Sequence, residues 1–160
     1  MVEGFAAYMK EKGWNIELWE TQREYLPEII IKRYGNVPER WLEFIRSIKC
    51  MVSSDETAWF LCAEDFEVNV NSDEGFQWNE WEIIGLRSAE DDEKWEREIR
   101  KFWDVHLPIV MSVKGFYSYY AIDVRDGSIV YGEEPEFEEC KIVAASFEDF
   151  MEKIVKNQLL

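Results

Sequence analysis

This chain of 160 residues predicts an α+β fold: one domain over 1–160 in which an antiparallel sheet is covered by helices. The prediction comes from helix-period and strand-period segments that alternate up to about Asp104, and from a cluster of short strands after His106. It also comes from an amphipathic helix that closes the cluster after Ser146.

The first segment, with Phe5 and Met9 on one side, is a short helix that Gly13 stops. A polar and aromatic stretch from Trp14 to Arg23 leads to Leu26, Pro27 and the apolar triplet Ile29 to Ile31. Tyr34-Gly35-Asn36 then supplies turn chemistry. Pro38 suits the first turn of a helix, on which Trp41, Phe44, Ile45 and Ile48 share one face as far as Lys49. Thr57 to Cys62 is β-branched and aromatic, a strand, and Ala63 to Val70 is read as a short helical turn followed by a loop over Asn69 to Gly75. Trp78, Trp81, Ile83 and Ile84 read as a strand that ends at Gly85. Ser88 and Asp91 make a Ser-x-x-Asp start, and Trp95, Ile99, Phe102 and Trp103 keep helical spacing, which predicts a helix over 89–104.

In the last third, Leu107, Pro108 and Ile109 enter a strand. Tyr117 to Val124 and Ser128 to Tyr131 flank an Asp126-Gly127 pair, the signature of a tight hairpin. Ile142 to Ala145 is a further strand. Ser146 and Asp149 form a capping box, and Phe147, Phe150, Met151, Ile154 and Val155 line one face of the final helix, which should close over the sheet.

Composition bounds the function. The chain is long enough to bury roughly 70% of its unfolded surface without metal or disulfide staples. No run reaches the roughly 18 to 20 apolar residues that span a bilayer, and Met1 to Lys12 has no signal-peptide core, so a cytoplasmic protein with no membrane association is expected. The three cysteines, Cys50, Cys62 and Cys140, are too scattered for a disulfide framework and read as buried, reduced thiols. The formal net charge is -16. That balance opposes nucleic-acid binding and anionic lipid, and it would draw in a basic protein partner at enhanced rates.

No constellation of catalytic groups stands out, so no enzyme activity and no cofactor is expected. His106 is the only histidine, and a nucleophile-base pair would have to be built entirely on it. The thiols and the imidazole show no metal-ligand spacing, and Asp123 to Gly127 fits a hairpin turn better than a calcium loop. Glycine-rich phosphate loops are absent from the sequence. Two features remain as partner contacts. Trp78 and Trp81 alternate with polar residues in QWNEW, where partner contact competes with core packing. GEEPEFEE, from Gly132 to Glu139, places Glu133, Glu134, Glu136, Glu138 and Glu139 around Pro135 and Phe137. An aromatic anchor in an acidic rim suits a basic partner, and a solvated loop is the competing interpretation. A small-ligand pocket over the sheet near Lys114, Tyr117 and Tyr119 is the weaker alternative.

From Leu107 through Tyr131, and again at Ala145-Ser146-Phe147-Glu148-Asp149-Phe150, the sequence resembles the C-terminal signature of the SUKH superfamily. That Smi/Knr-like group includes fungal regulators of cell-wall synthesis and many bacterial immunity proteins. Val37-Pro38-Glu39-Arg40-Trp41-Leu42-Glu43-Phe44 resembles the group's early helix. The chain departs from the pattern at Ser112 to Phe116, where many members carry a glycine-rich segment and only Gly115 is kept. The resemblance implies a non-enzymatic binding protein, an immunity protein that neutralises a bacterial toxin such as a nuclease by occluding it. A regulatory or scaffold module that binds a host protein is the alternative it leaves open.

Overall fold

The computed structural model describes residues 1–67 and 75–160. Seven strands form one sheet in sequence order, and every neighbouring pair is antiparallel. They are β1 (Asn15–Leu18), β2 (Ile48–Val52), β3 (Ala58–Phe60), β4 (His106–Ser112), β5 (Ser118–Asp123), β6 (Ile129–Glu133) and β7 (Lys141–Ala144). The helices are α1 (Val2–Glu11), α2 (Glu39–Ser47), α3 (Glu80–Ser88), α4 (Glu93–Val105) and α5 (Phe147–Val155). The α+β expectation is met, and among the described residues no helix is long and apolar enough to cross a membrane.

The central strands show why both sheet faces need cover. Every residue of β5 is buried, as are His106 to Met111 of β4. Alternate side chains of a strand point to opposite faces. On one face Phe60 and Tyr120 meet Phe150 of α5, and Phe60 also meets Phe5 of α1 and Phe44 of α2. On the other face Tyr119 packs against Trp103 of α4, and Tyr117 stacks on Trp81 of α3. Pro108 lies inside a central strand, and the register shifts between Pro108 and Val110. A bulge is where a ladder tolerates proline, and it frees the Ile109 carbonyl to accept from Leu61 N at 2.8 Å.

Several sequence expectations hold closely. The hairpin joins β5 to β6 through Asp126 and Gly127, with Gly127 at φ +80, and Asp123 O accepts from Gly127 N at 2.8 Å. Ser146 caps α5 by accepting from Asp149 N at 3.1 Å, while the Asp149 carboxylate reaches back to Ala145 N at 2.8 Å, one residue outside the usual box.

Other expectations need correction. Trp78 to Ile84 is no strand, because 80–88 is helical. The inward face of α3 carries a charged residue, Glu82, buried against Arg33, which masks the helical period in the sequence. Ser88 ends α3 and does not cap α4; Asp92 does, accepting from Trp95 N at 3.1 Å. The helix after Pro38 stops at Ser47, since Ile48 already starts β2, and Asn15–Leu18 is a strand that the polar composition hid. Of the segment read as a helical turn, Ala63–Phe66 is a 3-10 turn. The loop expected over Asn69 to Gly75 lies outside the described residues except at Gly75 itself.

A candidate partner-binding surface

The segment Gly132 to Glu139 leaves the end of β6 and crosses over α3 and α4, and its conformation follows from one small residue. Gly132 pairs directly with Tyr119 across the ladder. A Cβ at Gly132 would lie 2.5 Å from Cζ and 2.6 Å from Cε1 of Tyr119. Tyr119 can therefore lie flat over the β6 backbone only because the facing residue has no side chain. In that position its hydroxyl donates to the Phe137 carbonyl. Burial raises the phenol pKa, so the ring stays protonated and keeps donating.

Phe137 completes the anchor. Its ring is 3% exposed and stacks on Trp81 at 5.5 Å with the planes 9° apart. Trp81, 1% exposed, also stacks on Tyr117 at 4.6 Å and donates from Nε1 to Ser118 O at 3.2 Å. Offset aromatic pairs of this kind each contribute about 0.5–1.5 kcal/mol beyond area burial. A second tie is polar: Glu134 N donates to Tyr117 O at 2.8 Å, and Tyr117 N donates to Glu134 Oε1 at 2.9 Å. The segment is thus fixed to the sheet and to α3, and its shape does not depend on a partner.

The sequence-predicted residues separate accordingly. Phe137 points inward, so it cannot be the exposed aromatic anchor, and Trp81 and Tyr119 are likewise core and out of a partner's reach. Trp78 is half-buried between Tyr34 and Phe66, with the Arg33 guanidinium over its ring. Glu138 also turns inward: its Oε1 is buried near the Trp103 indole, and burial raises its carboxyl pKa, with Glu136 and Glu82 adding to the shift and Trp103 opposing it. Glu133, Glu134, Glu136 and Glu139 remain exposed, and Tyr117 is half-buried beside them.

An exposed aromatic tied to this segment through Tyr117 is Phe76, which sequence reasoning missed. It is 43% exposed and packs on Trp81 and Tyr117, each at 5.6 Å. Its signal was weak: a lone aromatic between Gly75 and Gln77, with no period to assign it. Trp95 was expected on the apolar face of α4, yet it is 41% exposed among the charged residues of the first turn, while Ile99 and Trp103 do face the core.

The groups weighed for chemistry have structural partners. His106 is buried, stacks on Phe102 at 3.9 Å, and places Nδ1 2.7 Å from Phe102 O. Burial lowers its pKa, against the Phe102 carbonyl and Asp123, whose Oδ2 is 3.6 Å from Nε2; since a carbonyl can only accept, Nδ1 carries the proton in the Phe102 bond. The Asp123 carboxylate is held by Arg125 through Nε at 2.9 Å and a terminal nitrogen at 2.8 Å. Among the described residues no group of three or more His, Cys, Asp and Glu side chains is placed to hold a metal ion. The proposed pocket near Lys114, Tyr117 and Tyr119 is not one place: Tyr117 and Tyr119 face α3 and α4, whereas Lys114 lines a groove with Ser118 and Tyr120 on the opposite face.

No protein-family model matches this chain, and neither a curated protein nor a solved structure matches it.

Proposed function

We propose that this chain is a non-enzymatic protein-binding domain of SUKH type, an immunity protein that occludes a basic toxin domain such as a nuclease. The observation that carries this reading is the pinned acidic segment. Glu134, Glu136 and Glu139 and, at the strand end, Glu133 stand exposed along this one segment, and Glu134 accepts from the backbone N–H of Tyr117, the ring on which the exposed Phe76 packs. A preorganised surface loses little conformational entropy on binding. Its carboxylates steer a basic partner into encounter, and the aromatic group supplies the desolvated contact. The net charge of -16 extends the same field over the whole molecule.

The test is kinetic. Replacing the four exposed glutamates by Gln should slow association with the partner about tenfold at low salt and flatten its salt dependence, with dissociation changed less. Glu138 is left intact because it turns inward. Association that is unaltered by the fourfold replacement removes this surface from the mechanism. Retention of a folded host protein that is no toxin would favour the regulatory-module reading.

A further inference from the structure

The face of the sheet opposite Trp81 carries a groove that the register itself creates. Ala58 of β3 pairs with Ser112 of β4, Ser112 pairs with Ser118 of β5, and Ser118 pairs with Glu133 of β6. Directly paired residues point to the same face, so three small side chains stand side by side there. Two residues further along β5, Tyr120 pairs with Tyr131, which pairs with Lys141 of β7. The step from the small row to the tyrosine row leaves a concavity of about 720 Å³, walled by Trp14, Phe116, Val143 and Leu159. Small-molecule sites occupy roughly 300–1,000 Å³.

The electrostatics of the groove run against those of the chain. Acidic residues outnumber Lys and Arg by 34 to 18 overall, yet Lys12, Lys114 and Lys141 all line this one groove. The two carboxylates that line it are already engaged. Asp55 accepts from Ser53 Oγ at 2.8 Å and Thr57 Oγ1 at 2.7 Å, and Glu133 accepts from the Tyr131 hydroxyl at 2.7 Å. Lys114 is 3.9 Å from Asp55. The other two ammonium groups sit over aromatic rings, Lys12 at 5.4 Å from Tyr8 and Lys141 at 5.5 Å from Tyr131. Neither of them has a carboxylate within ion-pair distance among the described residues, so both are free to meet an anion.

We propose that this groove binds a small amphipathic anion: a flat apolar body lying on Tyr120 and Tyr131 between Trp14 and Phe116, with a carboxylate, sulfonate or phosphate group facing Lys12 and Lys141. Ser112 and Ser118 supply hydroxyls on the floor. The groove lies on the opposite face from the Trp81 and Phe137 anchor and shares only Glu133 with the acidic segment, and its test leaves Glu133 unchanged, so its failure is distinguishable from that of the acidic surface.

The test compares two fluorescent probes that differ by one charged group, 8-anilinonaphthalene-1-sulfonate and the neutral N-phenyl-1-naphthylamine. The folded protein should bind the sulfonate saturably at one site, about tenfold more tightly than the neutral probe at low salt, and less tightly as salt is raised. The double variant Lys12→Gln/Lys141→Gln should lose about tenfold for the sulfonate and nothing for the neutral probe. Both lysines are surface residues, so an unchanged melting temperature is expected. An apolar recess between α1 and α5, lined by Phe5, Met151 and Val155, is the competing location for such a dye. Val155→Glu there should leave sulfonate binding intact. Equal affinity for the two probes, an unaltered affinity in the lysine variant, or loss of binding in Val155→Glu overturns the proposal.

Discussion

Gly132→Ala is the smallest change that should release the acidic segment. The added methyl would stand 2.5 Å from Tyr119 Cζ and 2.6 Å from Cε1, well inside van der Waals contact. Tyr119 is 1% exposed and packed against Trp103 at 4.9 Å, so the ring has no free volume into which it can move. Inserting a methyl into such a core costs about 1–3 kcal/mol in strain. Displacing the ring also removes its hydrogen bond to Phe137 O, and a carbonyl left unsatisfied costs about another 1–3 kcal/mol. Together these give about 2–6 kcal/mol, a large part of the roughly 5–15 kcal/mol available to a domain. Urea denaturation followed by tryptophan fluorescence should show the midpoint falling by roughly 1–3 M, given a slope of about 2 kcal/mol per M. A double-mutant cycle isolates the cause: on a Tyr119→Ala background the same Gly132→Ala change should cost less than about 1 kcal/mol, because the ring it would strike is gone. A loss below about 1 kcal/mol in the wild-type background would refute the claim that Gly132 positions Tyr119.

Trp81→Ala should cost about 3–5 kcal/mol, since it empties a fully buried site and leaves Phe137 and Tyr117 without their stacking partner; a chemical denaturation curve measures it. Glu82→Gln should cost about 1–3 kcal/mol, because Arg33 bonds that carboxylate through two nitrogens at 2.8 and 2.7 Å and would keep only the more exposed Asp104, 3.0 Å away, whereas Arg33→Met with Glu82→Leu should cost less. Two groups give pH dependence of opposite sign. His106 has its pKa lowered by burial, so the unfolded chain takes up a proton below its ordinary 6.5 while the folded chain does not, and stability falls as pH drops through that window. Glu138 has its pKa raised by burial, so the folded chain keeps a proton above the ordinary 4.5, and stability falls as pH rises from there. Melting temperatures from pH 4 to 8 should show His106→Gln and Glu138→Gln each abolishing its own slope.

Legibility followed the range of the interactions. The β5–β6 hairpin and α5 could be read from the residues because Asp126-Gly127 and Ser146-x-x-Asp149 act within a few positions of themselves. Strand β1 could not, since its pattern is mostly exposed and its place comes from pairing with β2, more than thirty residues away. α3 was hidden by a buried charge, Glu82, whose partner Arg33 lies 49 residues earlier. The same reason inverted the candidate site. The carboxylates of GEEPEFEE were found, but whether Phe137 points out or in depends on Trp81 and Tyr119, from two other elements. Once Phe137 turned inward, the exposed aromatic role passed to Phe76, which no local pattern marks.

The central claim is that the fixed acidic segment with Phe76 is the surface that meets a basic protein. The most direct measurement is paired affinity capture from native lysate, with the wild-type chain beside a variant carrying Gln at 133, 134, 136 and 139 and Ser at 76, both shown to melt alike. One basic protein should be retained stoichiometrically by the wild type at low salt, released as salt rises, and lost from the variant. Equal retention of that partner by both chains would contradict the claim.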